Sequence, residues 1–170
     1  MPKLSADLHI KNQLYTVEQK LRRDQSHWTL VQGVLAPVQF LVFLVSSVLI
    51  LRFMVSGNGY ELATVSVVLK TFLLYTIMIT GAIWEKVVFG RYLLAPAFFW
   101  EDIVSFFVIA LHSAYLIVLV TNYVDDQTKI WIAIVAYVAY VINAIQFLLK
   151  FRMGRNSSDV STKANDGILI

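Results

Sequence analysis

Apolar residues gather along this chain into four long runs, Thr29 to Leu51, Leu62 to Trp84, Ile103 to Val124 and Ile130 to Leu149, with polar residues confined largely to the gaps and the two ends. Crossing the ~30 Å hydrocarbon core of a bilayer takes about 20 predominantly apolar residues, and each run meets that length. The first, third and fourth contain no Asp, Glu, Lys or Arg; the second contains Lys70. A helix closes its backbone hydrogen bonds within itself, as lipid requires. The pattern therefore predicts an all-α integral membrane protein, a bundle of four transmembrane helices.

The flanks read differently. Ile10, Leu14, Val17 and Leu21 recur at helical spacing among Lys11, Lys20, Arg22 and Arg23, which predicts an amphipathic N-terminal helix lying on an anionic membrane surface. Residues 153–170 are rich in Ser, Asn, Asp and Gly without apolar periodicity, and are expected to form a disordered tail. The resulting division is an amphipathic segment over 1–27, a transmembrane domain over 28–152 and the tail. Residues 1–27 are polar, so no cleavable leader is expected.

Composition sharpens this picture. The chain is 58% hydrophobic and 15% charged, and it has no cysteine, which closes off disulfides, thiolate metal sites and cysteine nucleophiles. A formal charge of +3 is too small and too scattered for a nucleic-acid partner. Its placement says more. Lys3, Lys11, Lys20, Arg22, Arg23, Lys86, Arg91, Lys150, Arg152, Arg155 and Lys163 fall on one side of the predicted spans and only Arg52 and Lys129 on the other. Both termini are therefore expected in the cytoplasm, with the chain integral to a bacterial inner membrane.

Polar residues inside the spans are few, and each needs a partner, a route to water or a task. Gln32, Gln39 and Ser46 repeat at seven-residue spacing on one stripe of the first span, as interhelical hydrogen bonding would require. Lys70 lies too deep to snorkel and should face the bundle. Glu101, Ser105, His112 and Tyr115 fall on nearly one face of the third span, with Glu101 and His112 roughly 16 Å apart along it. Gln32, Glu85, Glu101, Asp102, Asn143 and Gln146 come from all four spans yet share the cytoplasmic third, which marks a candidate site. Solvated helix ends would account equally for any one of the four charges at Glu85, Lys86, Glu101 and Asp102, the last two being favoured by a helix N-terminus. Between Glu85 and Asp102 runs VVFGRYLLAPAFFW, too apolar for a solvated loop and expected to dip into the interface. Trp100 and its aromatic neighbours there form either an interfacial belt or one wall of a slot for a flat apolar ligand, and both readings stay open.

No phosphate loop, dinucleotide fingerprint, zinc-protease helix or nucleophile elbow is present, and the only histidines are His9, His27 and His112. The blocks RRDQSHWTLVQGVLAPVQFLVFLVS (Arg22 to Ser46), TGAIWEKVVFGRYLLAPAFFWEDIVSFFVIALHSAYL (Thr80 to Leu116) and YVINAIQFLLK (Tyr140 to Lys150) resemble, in order and spacing, the 3-vinyl bacteriochlorophyllide hydratase family. The similarity runs from about Leu21 to Arg152. It implies addition of water to the 3-vinyl group of a (bacterio)chlorophyllide to give a 3-(1-hydroxyethyl) product in bacteriochlorophyll synthesis, by a hydro-lyase. The partners implied are the pigment and the bilayer, with other pigment-forming enzymes as possible neighbours.

Hydrating an alkene needs a proton for the terminal carbon, a stabilised cation at the inner carbon and a positioned water, with no cofactor beyond the magnesium that the macrocycle carries. Glu101, Asp102 and Glu85 are the acidic residues near the cytoplasmic span ends and are the expected catalytic groups, Glu101 as the proton donor. His112 is expected to ligate the substrate's magnesium, with a proton relay or a satisfied core histidine as its alternatives, and Gln32, Asn143, Gln146 and Trp100 are expected to line the site. A pigment-holding subunit without catalysis and a proton-coupled transporter using Lys70 and Glu101 are the alternatives. The transporter lacks paired inverted halves, and a passive holder has no need of so many acidic groups.

Overall fold

The computed structural model describes the backbone of residues 14–166 and the side chains of residues 14–152. Within them the helices are α1 (Val17–Gln25), α2 (His27–Ser56), α3 (Tyr60–Phe89), α4 (Phe99–Thr121) and α5 (Asp126–Asp166), and no strand occurs among the described residues. The last four are long and apolar enough to span a membrane. At 30 residues each, α2 and α3 run about 45 Å, so their ends stand beyond the hydrocarbon. In each apolar window only 22% to 28% of residues are buried inside the bundle, which leaves side chains such as Leu41, Val48, Phe72, Phe107 and Ile142 facing outward to lipid.

Thr16 opens α1 with a reciprocal cap: its hydroxyl accepts from the Gln19 amide at 3.2 Å while the Gln19 side chain accepts from the Thr16 amide at 2.9 Å. The helix therefore begins later than the sequence spacing suggested; Ile10 and Lys11 lie outside the described residues. Val17 and Leu21 remain exposed, as suits a helix that offers an apolar face to the membrane surface. Ser26 both terminates α1 and caps α2, its hydroxyl accepting from the Trp28 amide at 3.2 Å. Thr29 braces this corner by donating to the Arg23 carbonyl at 2.6 Å.

Pro37 sits within α2 without ending it, although it removes the amide that would bond the Gly33 carbonyl. The outer α2–α3 turn uses Gly57 (φ 70°) and Gly59 (φ 90°), positions where a side chain would strain the backbone. Helix α4 ends at Thr121 instead of continuing to Val124, because Asn122 takes a left-handed conformation and caps it. Helix α5 continues to Asp166, over residues whose composition pointed to disorder. Residues 153–166 contain no proline, and extending a formed helix adds a hydrogen bond for each residue fixed.

The spans pair as two hairpins, α2 with α3 and α4 with α5, which meet along a less intimate seam. Three apolar layers stack along the axis. The outer one joins Ile50, Ala63, Val67, Tyr115, Ile130, Ala133 and Tyr137, and the middle one joins Leu74, Val108, Ala139 and Tyr140. The third, at the end bearing both hairpin feet, packs Trp84, Val88 and Phe98. Buried Ala95 and Phe98 draw residues 90–98 into that third layer, against the ends of α3 and α4.

Candidate active site

Three carboxyl groups meet where residues 90–98 join α3 to α4. Glu85, one turn before the end of α3, accepts from the Ala95 amide at 3.2 Å, and Asp102 in the first turn of α4 accepts from the Leu94 amide at 2.7 Å. Leu94 needs this support, because its φ of 58° lies in the left-handed region, at a cost of order 1–2 kcal/mol for a residue with a Cβ. The Glu85 and Asp102 carboxyl groups thus share one turn, each accepting from one of two neighbouring amides. Both residues are buried.

Glu101 is held differently. One carboxyl oxygen forms an ion pair with Lys150 Nζ at 3.3 Å, while Oε2 is buried and finds no hydrogen-bond partner among the described residues. Its backbone carbonyl accepts from Ser105 Oγ at 2.8 Å and from Asn143 Nδ2 at 3.0 Å, and Ser105 also donates to Asn143 Oδ1 at 3.1 Å. This triangle fixes the start of α4 against α5. Gln146 and Lys150 follow Asn143 by three and seven residues on one face of α5, and Gln146 Oε1 is buried with no partner among the described residues.

Tyr15 closes this end of the bundle, stacked on Phe89 at 5.7 Å with the Arg23 guanidinium 4.8 Å from its ring centre. Burial pushes its hydroxyl up to about 12, so at neutral pH it remains a neutral donor.

His112 lies deeper on α4 and is fully buried. Nδ1 is 2.8 Å from the Val108 carbonyl, an acceptor only, so Nδ1 carries the hydrogen and a neutral ring leaves its lone pair on Nε2. Nε2 has no partner among the described residues, and the ring stacks on Tyr137 at 5.8 Å.

The structure thus gathers Glu85, Asp102, Glu101 and Asn143, with Gln146 on the same face, and sets His112 deeper on α4. Gln32 belongs to the α2–α3 contact, where it donates to Thr80 Oγ1 at 2.7 Å, and no hydrogen bond joins it to the carboxyl groups. Trp100 is 69% exposed and lies edge-on to Phe99, outside the cluster; one helical position before Glu101 turns it about 100° away. Sequence reasoning used Lys150 only for topology and missed it as the partner of Glu101. Its seven-residue interval from Asn143 was the available signal. Lys70 faces the bundle as expected and is fully buried.

Known proteins bear on this arrangement through sequence. A family model described as 2-vinyl bacteriochlorophyllide hydratase (BCHF) matches residues 15–153. The chain belongs to that family. The locants 2 and 3 denote the same vinyl group under two numbering conventions of the macrocycle. Among curated relatives, the 2-vinyl bacteriochlorophyllide hydratase of Rhodobacter capsulatus is 63% identical over 142 residues, covering 84% of this chain and 82% of the relative. The protein of the same name from Cereibacter sphaeroides is also 63% identical over 142 residues, covering 84% and 88%. No solved structure matches the chain. Every residue of the cluster lies within the part matched to the hydratase family, and so do His112 and Lys70.

Proposed function

We propose that this chain adds water across the 3-vinyl group of a (bacterio)chlorophyllide, giving the 3-(1-hydroxyethyl) product in bacteriochlorophyll biosynthesis. Family membership supplies the reaction, and one observation supports its location. A buried carboxyl pair, Glu85 and Asp102, held on two adjacent amides, stands beside a third carboxyl, Glu101, whose Oε2 is without a partner among the described residues.

In this reading the vinyl π pair takes a proton from the Glu85–Asp102 pair at its terminal carbon, which becomes a methyl group. The cation left on the inner carbon is delocalised into the macrocycle. Water attacks that carbon and loses a proton to a second carboxyl group, so that one molecule of water is added in all. The sequence alone gave proton donation to Glu101. Its ion pair with Lys150 supports the opposite role, the carboxylate that orients and deprotonates water. Asn143 and Gln146 then line the water side of the site. The chemistry calls for no resident cofactor, since magnesium arrives within the substrate.

His112 anchors the pigment through Nε2. Magnesium ligation by a neutral histidine requires the other ring nitrogen to donate elsewhere, and the Val108 carbonyl accepts from it. The distribution of basic residues supports an orientation with both termini and the carboxyl cluster on the cytoplasmic side of an inner membrane.

The test is incubation of membranes containing this chain with 3-vinyl bacteriochlorophyllide in water labelled with heavy oxygen. Label in a new hydroxyethyl group is the expected result. Bound but unchanged pigment would make the chain a pigment holder.

A further inference from the structure

Two buried oxygens at the carboxyl cluster, one on α4 and one on α5, are acceptors that meet no donor among the described residues: Glu101 Oε2 and Gln146 Oε1. Glu101 is 8% exposed, and its other carboxyl oxygen is engaged by Lys150 Nζ at 3.3 Å. Contacts on either side of Gln146 bring it to the level of Glu101. Three residues before it, Asn143 Nδ2 donates to the Glu101 carbonyl at 3.0 Å, and four residues after it, Lys150 reaches the Glu101 carboxylate. Residues at those intervals share a helix face, so Gln146 stands beside Glu101 between two fixed points.

An amide oxygen and a carboxylate oxygen cannot bond each other, since neither has a hydrogen to give. Buried acceptors are ordinarily met by a donor, and here the donor must bring two hydrogens on one small centre. The pigment has none to bring at this place. Magnesium has replaced the pyrrolic hydrogens of the macrocycle, and the vinyl edge offers only C–H bonds. A water molecule meets the demand, giving one O–H to each oxygen and keeping its lone pairs free.

We propose that Glu101 Oε2 and Gln146 Oε1 together bind the reacting water, Gln146 fixing the hydrogen that the product retains. This rests on the hydratase reading above. With both hydrogens held, a lone pair is what the water presents to the inner vinyl carbon. As the new C–O bond forms, the hydrogen on Glu101 passes to the carboxylate and the hydrogen on Gln146 remains as the product hydroxyl. An alcohol has one O–H and cannot meet both acceptors, so the same pair of oxygens selects water over methanol.

The test places the full chain in phosphatidylcholine nanodiscs with 3-vinyl bacteriochlorophyllide in a water–methanol mixture and measures the ratio of 3-(1-methoxyethyl) to 3-(1-hydroxyethyl) product by mass spectrometry. Methanol would add as water does, its oxygen joining the inner carbon and its O–H proton passing to Glu101 while the terminal carbon is protonated. The unmodified protein should form the hydroxyethyl product almost alone. Gln146→Met removes the acceptor at nearly constant volume and should raise the methoxyethyl ratio about tenfold or more, with pigment affinity unchanged. Gln146→Glu keeps an oxygen for the second hydrogen and should keep the preference for water. Methanol competing in the unmodified protein in proportion to its concentration, an unchanged ratio in Gln146→Met, or a ratio raised as far in Gln146→Glu would each overturn the assignment. Should Gln146→Met not accumulate, the unmodified and Gln146→Glu proteins decide. Hydration without discrimination would remove the role of Gln146 and leave the hydratase intact; bound pigment that takes up neither water nor methanol would remove the hydratase reading itself.

Discussion

Glu85 and Asp102, seventeen residues apart in sequence, hold the adjacent amides of Ala95 and Leu94. One pair of carboxyl groups thereby closes a strained turn and, in the proposed reaction, supplies the proton. The two tasks separate by substitution.

Asp102→Asn keeps an oxygen for the Leu94 amide but cannot share a carboxylic proton. It is expected to accumulate in membranes and to lose turnover by about a hundredfold or more. Asp102→Ala leaves the Leu94 amide unpaired and should cost about 1–3 kcal/mol of stability as well. Thermal unfolding in detergent, measured beside single-turnover rates, distinguishes them. An active Asp102→Asn protein would take the proton away from this pair.

Glu101→Gln should bind pigment normally and hydrate it about a hundredfold or more slowly, because the amide fills the same space without accepting a proton from water. Lys150→Met should lower the rate in the same direction and less severely, since it frees the Glu101 carboxylate from its 3.3 Å partner without removing it. Normal hydration by Glu101→Gln would exclude Glu101 as the base.

His112→Ala should weaken pigment binding by at least about tenfold, or 1.4 kcal/mol, and change the absorption bands that report an axial ligand on magnesium, while pigment bound at saturation still reacts. Unchanged affinity and spectrum would return His112 to a packing role against Tyr137.

Reporter fusions after Lys150 and within the Gly57–Gly59 turn should give opposite signals, the first cytoplasmic. Identical signals from the two would contradict the arrangement of spans.

The spans were legible because lipid imposes a length and a composition on any stretch that crosses it, and Lys70 was legible because a lone charge in such a stretch has one tolerable direction. The Glu85–Asp102 clasp was not. It depends on Leu94 adopting a positive φ, which no local signal specifies for leucine, and on the burial of Ala95, which only the assembled third layer provides. Gln32 shared a depth with the carboxyl groups but pointed to Thr80, since position along a span does not fix position around the bundle. The end of α4 was missed by three residues because Tyr123 and Val124 are apolar, whereas the stop comes from the backbone of Asn122.

Ser26 is the whole connection between α1 and α2, closing one helix and opening the next, with Thr29 bonded back across it. Such a joint has no slack. Inserting a single residue there would rotate α1 by about 100° on its own axis relative to α2, carrying the exposed Val17 and Leu21 together with Lys20, Arg22 and Arg23 to a different side. The register of this corner is therefore a gauge by which α1 and the first span keep one rotation relative to each other, the rotation in which Gln32 meets Thr80.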